Sequence, residues 1–190
     1  MSNTRKTSIP TLSEITQQAT PVERTVSLCV AGSMFAEHER LEAELEAAQS
    51  AEVTGSGTLG KQPESQRVAK KLRDLEAKMR EHTYDFVFRS LPKLQWRALL
   101  DTHGPREGKE RIERWNPDTF PRAAVAASCV SPEGMDDAAA FAVFWDESLN
   151  DGQRDQLFRG AYAANEESTS VPFSVAASAA LSTSEQSSTT

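Results

Sequence analysis

The 190-residue sequence is poor in the residues that build a large core. Hydrophobic residues make up 38% of the chain and aromatic residues 7%. Both shares are low for a globular protein. We therefore expect one domain of ordinary size or two small ones, with a modest core and substantial flexible sequence.

Cysteine is equally scarce. Cys29 and Cys129 are the only two, and a hundred positions separate them. Both stand in apolar surroundings, and in a reducing compartment such residues are typical small buried side chains. We expect two free thiols rather than a disulfide.

Long apolar runs are also missing. No stretch of the chain approaches the roughly 20 apolar residues that a membrane span needs. The N-terminal sequence MSNTRKTSIPTLSEITQQATP lacks the apolar segment of a secretion signal. We therefore expect a protein of the cytoplasm with no membrane partner.

An unopposed basic region is lacking. The net charge is −7, with 4 basic and 8 acidic side chains in residues 1–60, 14 and 9 in 61–114, and 3 and 11 in 115–190. Even the middle segment interleaves its bases with acids, whereas phosphate binding needs a basic face. The sequence predicts no nucleic-acid partner.

Motifs for catalysis and metal binding are absent as well. The stretch GSGTLGK at 55–61 has the wrong spacing for a phosphate loop, and no apolar strand precedes it. His38 and His82 fall on helix seams and His103 at a helix end, without the further ligands that a metal requires. We expect no catalytic residues, no metal site and no cofactor.

Two short segments alternate apolar and polar residues as strands do. Val26, Leu28 and Val30 alternate within residues 24–31, which predicts a first strand. The stretch TYDFVFR at 83–89 predicts a second, with its three aromatic residues on one face.

Between the predicted strands lie two helices with apolar residues at steps of four and three. The first is acidic and the second is rich in Lys and Arg, and the Gly- and Ser-containing residues 53–65 read as a flexible linker. Matching seams and opposite charge favour an antiparallel hairpin, which brings the two strands side by side in antiparallel order. The seam residues are Met34, His38, Leu41, Leu45 and Ala48, facing Val68, Leu72, Leu75, Met79 and His82.

The rest of the chain predicts short helices and loose ends. Pro92 begins a helix that Gly104 ends, and a small helical domain covers 92–166, including amphipathic segments at 107–115 and 136–145. The fold class is therefore mainly α with a small two-stranded antiparallel sheet, in which a β-α-α-β unit over 23–91 precedes a helical C-terminal part.

Both ends of the chain are polar. Residues 1–22 contain little periodicity and predict a flexible arm. Ser and Thr fill 12 of the 24 positions in 167–190, which predicts a disordered tail. Within that tail, Val171-Pro172-Phe173 is a candidate docking peptide.

A two-stranded sheet leaves unpaired backbone groups along its edges, and another chain can pair with them. The aromatic residues of the second strand and the helix after it would supply apolar anchors beside such an edge. Our candidate partner-binding residues are Tyr84, Phe86, Phe88, Pro92 and Trp96.

The order of several segments resembles a known family. These segments are VERTVSLCVAGSMFAEHERLEAELEAA, YDFVFRSLPKLQWRALLDTHGPREG, WNPDTFPRAAVAASCVSPEGM and LNDGQRDQLFRGAYAAN. Together they look like the tail assembly chaperones of long-tailed phages and prophages of actinobacteria. The resemblance covers about residues 22–165 and rests on the order of the segments, with Gly104 standing where the family more often has a proline.

The resemblance implies a non-enzymatic protein that binds the tape-measure protein, keeps it soluble and helps tail-tube subunits polymerise on it. It also implies possible self-association, a place in the host cell cytoplasm and, in many relatives, a longer form made by translational frameshifting. Two alternatives from other classes remain: a structural virion subunit such as a head–tail connector, and a DNA-binding regulator.

Overall fold

The structure is a computed structural model, and it describes residues 10–53 and 63–167. The predicted linker over 53–65 therefore lies for the most part outside the described residues. The same holds for nearly all of the predicted tail over 167–190.

The chain is mainly helical, with one small antiparallel sheet. The order of the elements follows the sequence, and β1 and β2 flank the two longest helices. The bounds are α1 Leu12–Gln18, β1 Glu23–Cys29, α2 Ser33–Val53, α3 Glu64–Glu81, β2 Thr83–Arg89, α4 Lys93–Thr102, α5 Phe120–Ser128, β3 Cys129–Ser131, α6 Ala138–Ala142, a π-helical turn Val143–Ser148, and α7 Asp151–Glu166.

The sheet has three strands in the order β1-β2-β3, whereas the sequence predicted two. β1 and β2 are antiparallel over their full length, from Glu23 opposite Arg89 to Cys29 opposite Thr83. The added strand β3 is antiparallel to β2 and pairs with Val87 and Phe88 only. β2 is thus the central strand.

Helix α7 covers one face of this sheet. Val26, Leu28, Phe86 and Phe88 point to that face, as the alternation of side chains predicts, and they join the main core. At the closest approach of helix and sheet stands Gly160, where a Cβ atom would lie 2.5 Å from Cγ2 of Val26. A glycine at this position lets α7 lie flat on the strands.

Helices α2 and α3 pack on each other along the predicted seam. Leu41, Val68 and Leu75 are buried there, and Leu45 and Leu72 are half-buried beside them. Opposite charges on α2 and α3 make fewer contacts across this interface than expected. Among the described residues, the ion pair that joins the two helices is His38 with Glu76, at 3.8 Å. The apolar seam therefore supplies most of the stability.

The predicted N-terminal arm contains a helix. Thr11 caps α1: its hydroxyl accepts from the amide of Glu14, and its own amide donates to the carboxylate of Glu14 at 2.6 Å. This reciprocal pair is a capping box, and it lowers the pKa of Glu14 through the backbone hydrogen bond from Thr11. The arm thus contains one short helix, none of whose residues is buried, and its flexibility stays a prediction.

The C-terminal part shares its core with the sheet. Val125, Trp145, Leu149 and Leu157 pack in the same cluster as Phe86 and the other inward residues of β1 and β2. The boundary predicted near residue 91 is therefore not a boundary in the core, because residues on both sides of it pack in one cluster. The predicted short helix over 107–115 is absent, because that segment forms turns.

Candidate functional site

The five candidate partner-binding residues fall into two groups. Phe88 is fully buried, and Phe86 and Trp96 keep 3% and 7% of their surface. Tyr84 is 51% exposed, and Pro92 is exposed as well. Only the second group lies on the surface of the described chain. Phe86, Phe88 and Trp96 pack within the protein itself, and partner binding by the five residues stays a prediction.

Trp96 belongs to a framework of aromatic side chains. Its ring lies 5.4 Å from that of Phe120 and 6.5 Å from that of Tyr162. Its Nε1 donates to Oε1 of Glu166 at 2.7 Å, so the polar edge of the indole is satisfied inside the protein. Sequence reasoning failed here because it could not place α7 over α4.

The outer edge of β1 is partly blocked. Gln153 of α7 donates from Nε2 to the carbonyl oxygen of Cys29 at 3.0 Å, and Gln156 donates to that of Ser27 at 3.3 Å. These side chains occupy backbone acceptors that another strand would need. A partner strand is therefore not expected to pair with this outer edge of β1.

The opposite edge, along the first half of β2, is open. The amide of Val30 donates to the carbonyl of His82 at 3.0 Å, which fixes the even-numbered residues of β2 as those bonded to β1. The backbone groups of Asp85 therefore point away from β1. They have no strand partner among the described residues, because β3 reaches only Val87 and Phe88.

An apolar groove runs beside this open edge. Its volume is about 540 Å³. The ring of Phe86 stacks on that of Phe144 at 5.7 Å and forms its floor, and Tyr84 and Val30 expose 51% and 36% of their surface. The lining residues are Val30, Tyr84, Phe86, Pro132, Glu133, Gly134, Met135, Ala140, Phe141, Phe144 and Ser148. We call this surface the β2 groove.

Three parts of the fold position the groove. The alternation of β2 places Tyr84 and Phe86 on the same face as Leu28 of β1. Asp137 caps α6 by accepting from the amides of Ala139 and Ala140, and this fixes the start of the helix that carries Phe141. Phe141 and Phe144 were not among the candidate binding residues predicted from the sequence, although the aromatic spacing over 141–145 is visible there.

Polar side chains in the groove lining are few, namely Glu133 and Ser148. Asp85 projects from the opposite face of the sheet, where its carboxylate accepts from Oγ of Ser27 at 2.6 Å. The chemistry of the β2 groove is therefore that of an apolar surface beside a row of backbone donors and acceptors. Such a surface binds an extended peptide segment through strand addition and side-chain burial.

The histidines show no metal site. His38 lies within 3.3 Å of Glu42, and Nδ1 of His103 lies 3.0 Å from the hydroxyl of Thr119. Within residues 10–53 and 63–167, no cluster of three or more His, Cys, Asp or Glu side chains is placed to hold a metal ion.

Both cysteines are free and half-buried. Burial raises the pKa of the Cys129 thiol to about 11, against a smaller opposing effect of a backbone hydrogen bond with Ser131. Because the thiolate is the reactive form, this residue is a weak nucleophile at neutral pH.

Several residues in the segments that carry the family resemblance belong to the framework of the fold. Phe120 is fully buried, and the amide of Asn116 donates to the carbonyl of His103 at 2.8 Å. In α7, Oδ1 of Asn165 accepts from the amide of Leu91 at 2.7 Å, while its Nδ2 donates to Oγ of Ser128 at 3.1 Å. These residues set the fold, and the same segments also supply part of the groove, including Tyr84 and Met135.

Comparison with family models, with curated proteins and with solved structures returns no match for this chain. A separate search of the described helices finds none that is both long enough and apolar enough to cross a membrane.

Proposed function

We propose that this protein is a tail assembly chaperone of a long-tailed phage or prophage, which binds the tape-measure protein in the host cytoplasm. The order of its sequence segments supports the proposal, since it resembles that family from about residue 22 to residue 165. Tail-tube subunits and further copies of the chaperone are the other partners that the resemblance implies.

The observation that carries the proposal is the β2 groove beside the open edge at Asp85. A chaperone for a long client needs to hold apolar segments without reading one fixed sequence. Backbone pairing meets that need because every extended segment offers the same donors and acceptors. The exposed ring of Tyr84 adds apolar contact, and buried aromatic contacts of this kind carry much of the energy at interfaces.

Co-expression with the tape-measure protein of the same phage or prophage tests the proposal. Tyr84→Asp places a charge in the groove, and we expect it to lower the yield of soluble client at least fivefold. Leu94→Asp is the matched control, because Leu94 is 80% exposed on α4 and does not line the groove. Circular dichroism should show the same helix content for both variants.

Two results would count against the proposal. If the wild-type protein leaves the client insoluble, the proposed chaperone function is wrong. Equal client solubility with the Tyr84→Asp and wild-type proteins would move the binding site away from the groove. Recovery of the protein in purified particles, without an effect on client solubility, would favour the head–tail connector instead.

A further inference from the structure

The β2 groove contains a strand position that no described residue fills. β3 runs antiparallel to β2, pairs with Val87 and Phe88, and ends at Ser131. A segment that continued in line with β3 would next stand opposite Phe86, Asp85 and then Tyr84. The vacant position is thus about four residues long and antiparallel to β2.

The two faces of the sheet dictate the side chains of such a segment. A residue opposite Phe86 or Tyr84 would point into the apolar groove. A residue opposite Asp85 would point to the other face, beside the hydroxyl of Ser27. The position therefore fits an apolar-polar-apolar segment.

The 23 residues that follow Glu167 contain one such segment. Val171, Phe173 and Val175 alternate with Pro172 and Ser174, and Phe173 is the last aromatic residue of the chain. We propose that residues 173–175 of this chain dock in the β2 groove as a short strand segment, antiparallel to β2 and in line with β3. Phe173 then lies opposite Phe86, and Val175 lies opposite Tyr84.

The proline selects this register. With Phe173 opposite Phe86, Ser174 stands opposite Asp85 and exchanges both backbone hydrogen bonds with it. Pro172 then precedes the paired segment, because Ser131 already occupies the position opposite Val87. Its missing N–H is not needed there, whereas a shift that put Pro172 opposite Asp85 would lose a donor.

The tail is long enough for this segment to reach the groove of its own chain. Asn165 near the end of α7 bonds to Ser128, the residue before β3, at 3.1 Å. From Ser128 the groove begins beyond Ser131, roughly 10 Å further along the strand. The six residue steps from Glu167 to Phe173 span up to about 20 Å.

This inference goes beyond the proposed function, because it names an occupant of the groove that belongs to the chaperone itself. In the absence of a client, the segment would keep the open edge and the apolar surface from pairing with other chains. A client would have to displace it. The test of this docking uses no client. It can therefore fail while the proposed function stands, and the proposed function can fail while the docking holds.

Hydrogen exchange at the Asp85 amide in the full-length protein tests the docking. Phe173→Lys places a charge on the groove side of the segment, and we expect it to speed exchange at this amide at least tenfold. Ser174→Lys is the matched control: the same charge one residue later points to the open face beside the Asp85 carboxylate, and exchange should stay as in wild type or slow. Tyr84→Asp should speed exchange as Phe173→Lys does.

A labelled peptide of residues 168–181 gives a second measurement. It should bind the Phe173→Lys protein, whose groove is empty, at least tenfold more tightly than the wild-type protein. Equal Asp85 exchange in wild type and Phe173→Lys would overturn the proposal. Protection of Asp85 that disappears on dilution would overturn it too, because the occupant would then come from a second copy.

Discussion

The indole Nε1 of Trp96 donates a hydrogen bond to Oε1 of Glu166 at 2.7 Å and thereby ties α4 to the last turn of α7. The same carboxylate oxygen accepts from Arg114 at 2.8 Å, an interaction that raises the pKa of that guanidinium. Trp96 thus joins three segments that are far apart in the sequence. A side chain in this position stabilises the fold, and its effect on any partner is indirect.

Trp96→Ala should therefore lower the free energy of unfolding by about 3–5 kcal/mol, because it empties a buried aromatic site. Urea denaturation followed by circular dichroism measures this loss. Leu94→Ala is the control two residues earlier, and its exposed side chain should change stability by no more than about 0.5 kcal/mol. Similar losses for the two variants would contradict the burial of Trp96.

Gly160→Ala should destabilise the protein, although alanine is the better helix former by about 1 kcal/mol. The added Cβ would meet Cγ2 of Val26 at 2.5 Å and Cδ2 of Phe88 at 2.9 Å. Overpacking of this kind costs about 1–3 kcal/mol.

Gly152→Ala in the same helix provides the comparison for thermal unfolding. Its Cβ would meet only Oδ1 of Asn150, at 3.4 Å. We expect the melting temperature to stay or rise for Gly152→Ala and to fall for Gly160→Ala. A rise for both would mean that α7 lies further from the sheet.

The helical hairpin offers a graded series. Leu75 keeps 7% of its surface, whereas Leu72 is half-buried. Leu75→Ala should cost about 2–5 kcal/mol and Leu72→Ala clearly less, because a half-exposed site leaves a smaller cavity. Denaturant unfolding of both variants checks the order. A larger loss for Leu72→Ala would place the seam on a different face of α3.

The hairpin shows what the sequence could predict. Its seam repeats over several turns, so leucines such as Leu41 and Leu75 reveal their face through spacing alone. The capping box of Asn150 and Gln153 at the start of α7 was equally visible, because it is a local pattern. Thr11 and Glu14 offered the same signal for α1, and there it was overlooked.

Features that depend on distant contacts could not be predicted. β3 has three residues, too few for a period to show, and it exists because Ser131 and Cys129 meet β2. Residues 129–131 were therefore included in the small helical domain predicted over 92–166. The exposure of the candidate site residues depends on distant contacts too. Tyr84 and Phe86 lie on the same face of the sheet, and only the placement of α7 and Phe144 decides which of them is exposed.

Cys129 provides a prediction about pH. Burial raises the pKa of its thiol from 9.0 to about 11 in the folded chain. At pH 9 about one folded molecule in a hundred then carries the thiolate, against about half of the unfolded molecules. In a Cys29→Ala background, iodoacetamide should modify the folded protein more than tenfold more slowly than the protein in denaturant, and the rate should keep rising until about pH 11.

The same shift affects stability at high pH. The folded state holds the Cys129 proton more tightly, so its contribution is fully present below pH 9 and is lost as the pH rises through about 11. Cys129→Ala lacks this contribution, whereas every other titratable group is common to both proteins. The free energy of unfolding should therefore fall more steeply between pH 9 and 11 for wild type than for Cys129→Ala. Parallel slopes, together with alkylation as fast in the folded as in the unfolded protein, would mean that the Cys129 thiol is open to solvent.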